Sequence, residues 1–282
     1  MMNIPNSSMK IGDMLFAPIA RKLAFSSYAL LFALNAQASF VLIDDFDGYL
    51  AGSEVGGQGD WVETNGSDDV FTVVDTGGNH VMAIENSASG RGLINTSSDI
   101  NITQTSGTDI GTIFFTISFE TAAADEAAFD YGLQIAGNTS AGSISTRVTA
   151  SIADTQSIGE LKVVSGGATA DLTLLTTYEY WIVADNSNDM QSHYIRELGE
   201  VTSPTAIASN VAFTGGAVAQ NLTELFFRTQ NTGSNVTYID NLYIDGTGEN
   251  LASPISIPEP ATVALMVGVA VMGYTTYRRR RS

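Results

Sequence analysis

Short strand-like runs, separated by clusters of Gly, Asn, Asp and Thr, recur through the central part of this chain. They fall at residues 40–43, 70–74, 80–84, 112–119, 131–135, 143–152, 161–164, 178–184, 192–197, 222–229 and 236–244. Turn-forming clusters at 75–79, 165–167, 185–189 and 231–235 lie between them. Helical periodicity is confined to a short patch at 122–128. Many short strands with Gly/Asn turns and no long helix predict an all-β sandwich or barrel. Ten or more strands in roughly 220 residues fit a jelly-roll β-sandwich better than a seven-stranded immunoglobulin sandwich.

Alternation supports the individual strands. Ile113, Phe115, Ile117 and Phe119 share one face of their run, and Thr112, Thr116 and Ser118 share the other, with Phe114 the exception. Tyr178, Tyr180 and Ile182 oppose Glu179, Trp181 and Val183, so that strand is expected to be covered on both faces. Residues 224–244 read as a hairpin around 231–235.

The two ends differ from the body. Lys10, Arg21 and Lys22 precede an apolar run from Leu23 to Leu34 and then Ala36-Gln37-Ala38. A basic region, a short apolar core and a small-x-small site make a secretory signal peptide, with Ala36 and Ala38 as the cleavage residues and residues 1–38 removed. At the other end an apolar stretch of 17 residues, Ala261 to Tyr277, is closed by Arg278, Arg279, Arg280 and Arg281. That length is at the short end for a transmembrane helix, and the arginines hold its end in the cytoplasm. The expected organisation is a signal peptide at 1–38, a β-sandwich at 39–245, a linker at 246–257 and a hydrophobic tail at 258–282.

The charge follows this division. The chain has 12 Lys+Arg and 30 Asp+Glu, a formal net charge of −18. Seven of the basic residues but only Asp13 and Glu259 of the acids lie in the two ends. The body keeps five basic and 28 acidic residues, net −23. Sequence-independent nucleic-acid binding, which needs Lys/Arg to displace counterions, is excluded as a role. With no cysteine, a disulfide framework, a thiolate zinc site and a Cys nucleophile are excluded too.

Pro258-Glu259-Pro260, the hydrophobic stretch and the terminal arginine cluster resemble, in that order and place, the PEP-CTERM sorting signal of Gram-negative bacteria. The resemblance covers about the last 25 residues. It implies recognition by an exosortase, a transient stay in the inner membrane, and delivery to the cell surface or extracellular matrix. It also implies association with exopolysaccharide. The body has a resemblance of its own. The opening Ile43-Asp44-Asp45-Phe46-Asp47-Gly48-Tyr49 and Gln58-Gly59-Asp60-Trp61, the middle Tyr180 to Asp185 with His193-Tyr194, and the closing Tyr238 to Asp245 are similar to concanavalin A-like (laminin G-like) jelly rolls. Their implication is that the first and last strands are neighbours.

Catalytic signatures are weak. A jelly-roll glycosidase sets carboxylates at alternating positions of one strand, which puts acid and nucleophile on one face. No such triplet occurs; Glu197-Leu198-Gly199-Glu200 has the wrong spacing. His80 and His193 are the chain's two histidines, and no Gly-x-Ser-x-Gly elbow accompanies them. The expectation is therefore a non-catalytic protein, with a secreted glycosidase or polysaccharide lyase as the alternative. Calcium, which takes oxygen ligands, is the better chemical expectation. Asp45, Asp47 and Asp240 are its candidate ligands, with Asp44 and Asp245 nearby, if first and last strands meet. Asp185, Ser187 and Asp189 have calcium-loop spacing, but Met190 replaces the usual Gly. Carbohydrate stacking would fall to Trp61 or Tyr131, with Trp181 and Tyr194 as further candidates.

Overall fold

The computed structural model describes residues 40–64, 70–85, 90–104, 109–120, 127–137, 144–152, 158–230 and 236–255. The signal segment with Ala36 and Ala38, the sorting residues Pro258, Glu259 and Pro260, the hydrophobic stretch and Arg278 to Arg281 lie outside them. So do the turn at 231–235 and most of the helix-like patch.

The strands are β1 (Val41–Asp44), β2 (Trp61–Thr64), β3 (Phe71–Asp75), β4 (His80–Glu85), β5 (Gly92–Asn95), β6 (Ile110–Phe119), β7 (Ala127–Gln134) and β8 (Val148–Ile152). They continue as β9 (Ile158–Val163), β10 (Thr169–Thr173), β11 (Thr177–Asp185), β12 (Met190–Glu197), β13 (Thr205–Ala212), β14 (Glu224–Thr229) and β15 (Val236–Asp245). Sheet A has the order β13-β12-β11-β6-β15-β4-β3, with β1 also on β15; sheet B has the order β10-β9-β8-β7-β14-β5-β2. All pairings are antiparallel. Among the described residues no helix is long and apolar enough to cross a membrane.

The two sheets pack face to face as a jelly-roll sandwich. Ile113, Phe115, Ile117 and Phe119 all enter the core, as their spacing predicts, and meet Tyr131, Leu225 and Phe227 of sheet B there. Fully burying a side chain of this size contributes about 1.5–3 kcal/mol, so these positions carry much of the stability. β11 and β12 form an antiparallel hairpin, with Tyr180 opposite Ile195 and Trp181 opposite Tyr194. The expected hairpin at 224–244 does not form: β14 lies in sheet B and β15 in sheet A. Both flanks of the turn are half apolar, so periodicity marked the strands and not their partners.

The first and last strands are neighbours. Val41 pairs with Ile244 and Leu42 with Tyr243, while residues 236–239 of the same strand pair with β4. β15 changes partner at a bulge next to Asp240, where Asn241 has φ 54. A bulge re-aims side chains locally, and this one lies in the middle of the outer face of sheet A.

Candidate functional site

Strand alternation turns Thr112, Phe114, Thr116 and Ser118 of β6 away from the core, and the sheet register extends them into rows. One row is aromatic. Tyr194, Trp181, Phe114 and Tyr243 follow one another across β12, β11, β6 and β15. Phe114 meets Trp181 edge-on at 5.1 Å and Tyr243 at 6.1 Å. This explains why Phe114 breaks the apolar–polar alternation. The next row is polar: Arg196, Glu179, Thr116 and Asp240. A cavity of about 270 Å³ opens beside it, lined by Asn79, Thr116, Thr177, Tyr238, Asp240 and Asn241.

Asp240 is the acid of this cavity. Its Oδ2 accepts from Asn79 Nδ2 at 2.9 Å and from Asn241 Nδ2 at 2.7 Å, and its Oδ1 accepts from the Asn241 amide at 2.7 Å. Burial pushes the carboxyl up to about 6; the Asn donors pull it down, and Asp47 and Asp45 push it up again. Across Thr116, Glu179 is buried and ion-paired to Arg196, whose Nε donates at 2.7 Å and whose Nη2 also donates to the same oxygen. Arg196 also donates to the Thr202 carbonyl and lies 5.4 Å over the Trp181 ring. Glu179 is therefore neutralised by a fixed guanidinium.

The segment after β15 covers the aromatic row. Thr112 Oγ1 donates to the Gly248 carbonyl at 2.9 Å and accepts from the Asn250 amide at 3.0 Å. Asn250 Nδ2 donates to Asp245 at 2.7 Å, the Trp181 indole donates to the Ala252 carbonyl at 3.3 Å, and the Tyr194 hydroxyl to Glu249 at 3.3 Å. The part of the expected linker that is described, through Ile255, is thus a docked strap.

The other candidates are placed as follows. Asp45 and Asp47 lie near enough to Asp240 to raise its pKa. Yet no group of three or more His, Asp or Glu side chains among the described residues is arranged to hold a metal ion. Their oxygens serve the backbone instead: Asp45 accepts from the Asp47 amide and Asp47 from the His80 amide. Asp44 is structural. It accepts from the Phe46 amide at 2.8 Å, the Tyr49 hydroxyl at 2.6 Å and the Trp61 indole at 2.7 Å. Phe46, at φ 58, turns its ring inward to stack on Trp61 at 5.9 Å. The 185–189 cluster is the β11–β12 turn, with Asp185 accepting from Ser187 and Asn188 and Asp189 from the Val218 amide.

Trp61 and Tyr131 are corrections. They are 1% and 0% exposed and belong to the core, so neither offers a ring to a sugar. Both lie where two sheets must be filled by large side chains. His193 is also inside the core, bonded to Tyr180 and Gln191. The sequence reading missed Glu179–Arg196 and Asn79. The signal for the first pair was an acid and a base on two successive strand-like runs, 178–184 and 192–197; for Asn79 there was none.

No family model matches the chain, and no curated protein does. Among solved structures, a GH131 β-glucanase catalytic domain from Podospora anserina matches with TM-score 0.52 at 12% identity, over 77% of this chain and 100% of that one. Lectin II from Ulex europaeus matches with TM-score 0.47 at 8% identity, over 74% of this chain and 98% of that one. A sialidase matches with TM-score 0.45 at 11% identity, over 73% of this chain but 18% of its own length. The chain thus spans under a fifth of that protein. The first likeness agrees with the sheet topology in the fold: the body is a jelly-roll β-sandwich, as its strand pattern leads one to expect.

Proposed function

We propose that the body is a non-catalytic glycan-binding domain, exported to the cell surface or extracellular matrix, that holds a polysaccharide in the groove beside Asp240. The carrying observation is the cavity itself. It is built on a sheet face, with Val81 and Leu198 in its wall and Asn, Thr and Tyr groups at its edge that can donate to and accept from sugar hydroxyls. Among the described residues Asp240 is the carboxylate that lines it, and three N–H donors hold that group; Glu179, beyond Thr116 in the same row, is held by Arg196. Since a β-glucanase domain shares the fold, β-glucans are the first probes. The chain is passed over a glycan array with and without calcium, beside Asp240→Asn. Retention that falls in the variant supports the reading; no retention on any glycan overturns it. A melting temperature that rises with calcium would reinstate a bound ion near Asp45, Asp47 and Asp240.

A glycoside hydrolase is the second reading. Its support is Asp240, whose carboxyl, pushed up to about 6, keeps a proton available for a leaving group near neutral pH. Release of reducing ends from a β-glucan, abolished in Asp240→Asn, would establish it.

Export follows the same proposal. The signal segment ending at Ala38 is removed, and an exosortase acts at Pro258-Glu259-Pro260 after the tail has paused in the inner membrane. N- and C-terminal sequencing of the surface-released protein tests both cuts.

A further inference from the structure

The outer face of sheet B carries a second row, with no part in the groove. Register sets Thr64, Gly92, Arg228, Asp130, Thr149 and Lys162 side by side across β2, β5, β14, β7, β8 and β9. Arg147 joins them from the turn before β8, with Nη2 2.8 Å from Asp130. Three of the body's five basic residues are therefore on this one face of a domain whose net charge is −23.

Asp130 pairs with Arg147 and leaves Arg228 and Lys162 unneutralised. It is fully buried and already accepts from Arg147, from Thr149 Oγ1 at 2.7 Å and from Gln230. The side chain of Arg228, directly opposite on β14, makes no hydrogen bond or ion pair among the described residues, and neither does that of Lys162. More tellingly, three donors of the row are buried with no acceptor: Arg228 Nε, Arg147 Nε and Thr64 Oγ1. A buried donor left unpaired costs about 1–3 kcal/mol, more for a charged group, so each such group calls for a partner. The position facing Arg228 on β5 is Gly92, over which Thr64 Oγ1 and the Phe226 ring close in, so a partner would reach the guanidinium from its outer end, beside Gly90, where a Cβ would lie 3.6 Å from Nη2.

We propose that this face is a binding site for oxyanions carried on a sugar chain, that is, for an acidic oligosaccharide bearing carboxylates. Arg228 and Arg147 take one carboxylate through their free N–H groups. Lys162 stands three strand spacings from Arg228, about 14 Å away, too far for the same small anion but within reach of a second carboxylate on the chain. Glu160 and Asp171, which face each other two residues beyond Lys162, bound the site with like charge. At physiological salt, charges beyond about 8 Å are largely screened, so the local cations outweigh the acidic remainder of the domain. That the oxyanion sits on a sugar rests on the glycan reading above; the site itself does not.

The test uses the full chain and three probes: a uronic acid oligomer, the same oligomer with its carboxyls reduced to alcohols, and inorganic sulfate. Calorimetry is expected to show the uronate binding at least about tenfold tighter than its reduced form. Arg228→Gln is expected to weaken it by a similar factor. Lys162→Gln, at an exposed position that does not threaten the fold, is expected to weaken it severalfold. Equal affinity for the acidic and reduced oligomers, or wild-type affinity in both variants, overturns the proposal. Sulfate binding as tightly as the oligomer overturns the sugar-borne part in favour of a free anion. Retention of neutral β-glucan, recorded on the same samples, reads the sheet A groove, so its loss leaves the uronate result standing.

Discussion

The Tyr180 hydroxyl donates to Nδ1 of His193 at 2.8 Å inside the core, and Gln191 fixes that direction. Gln191 Nε2 donates to the Ala212 carbonyl at 2.9 Å, which turns its Oε1 toward His193 Nε2 at 2.8 Å. Nε2 must then carry the proton and Nδ1 must accept. The imidazole is neutral, and burial pushes its pKa down to about 3 from 6.5.

A pH dependence follows from this pair. The unfolded chain takes up a proton on His193 below about 6.5, and the folded one does so only near 3. Stability is therefore lost as pH falls from 6.5, at up to about 1.4 kcal/mol per pH unit for one proton. Asp240 works the other way. Its folded pKa, about 6, lies above the unfolded value, so protonation stabilises the fold as pH falls from 6 toward 4. Melting curves from pH 7 to 3 should show a shallow decline to about 4. Asp240→Asn should steepen that decline between 6 and 4, and His193→Gln should flatten it while lowering stability at neutral pH. Parallel curves for all three proteins would contradict the assignment.

Asp44 should behave as a structural residue. Asp44→Ala strips the acceptor from the buried Trp61 indole and from Tyr49. The unpaired donors should cost about 2–3 kcal/mol, a melting shift of about 4–12 °C for a domain of this size. Asp44→Asn keeps one acceptor and should lose less. Calcium should not restore either variant.

The strap can be loosened at one hydroxyl. Thr112→Val removes both the donor to Gly248 and the acceptor for Asn250. The chain contains two tryptophans, and Trp61 sits in the core away from the strap. Increased acrylamide quenching in Thr112→Val should therefore report Trp181 emerging from cover. Unchanged quenching would mean the strap is held by its other contacts.

The sheet architecture was legible because period-two alternation is a local property: Ile113, Phe115, Ile117 and Phe119 announce one buried face by themselves. β2, β5, β10 and β13 were missed because Gly92, Asn95, Thr169 and Asn210 dilute the pattern in edge or short strands. Partnering is not local, so β14 and β15 looked like a hairpin although they belong to opposite sheets. Asp240 was readable as an acid on the last strand, but its cavity depends on the bulge at Asn241 and on Asn79, 161 residues away in sequence. Trp61, flanked by Gly59, Asp60 and Glu63, was readable as a sugar-stacking candidate or a core residue; the αL turn at Phe46 and the Asp44 carboxylate draw it inward.

Glu179 and Arg196 bear on function as well as stability. Both are largely buried on the sheet A face, with 1% and 13% of their side chains exposed. Removing one partner strands a buried charge, so Arg196→Met should destabilise the fold by about 3–5 kcal/mol. In Glu179→Gln/Arg196→Met neither charge remains, and much of that loss should return, because replacing a buried pair by neutral groups of similar volume is often close to neutral. The double variant keeps Asp240 and the cavity but has no second carboxylate in the row. Under the binding reading it retains glycan affinity. Under the hydrolase reading, which needs a base or nucleophile beside the acid, it loses turnover while still binding. Comparing β-glucan retention with reducing-end release in this one protein separates the two roles, provided that its recovered melting temperature shows the face intact.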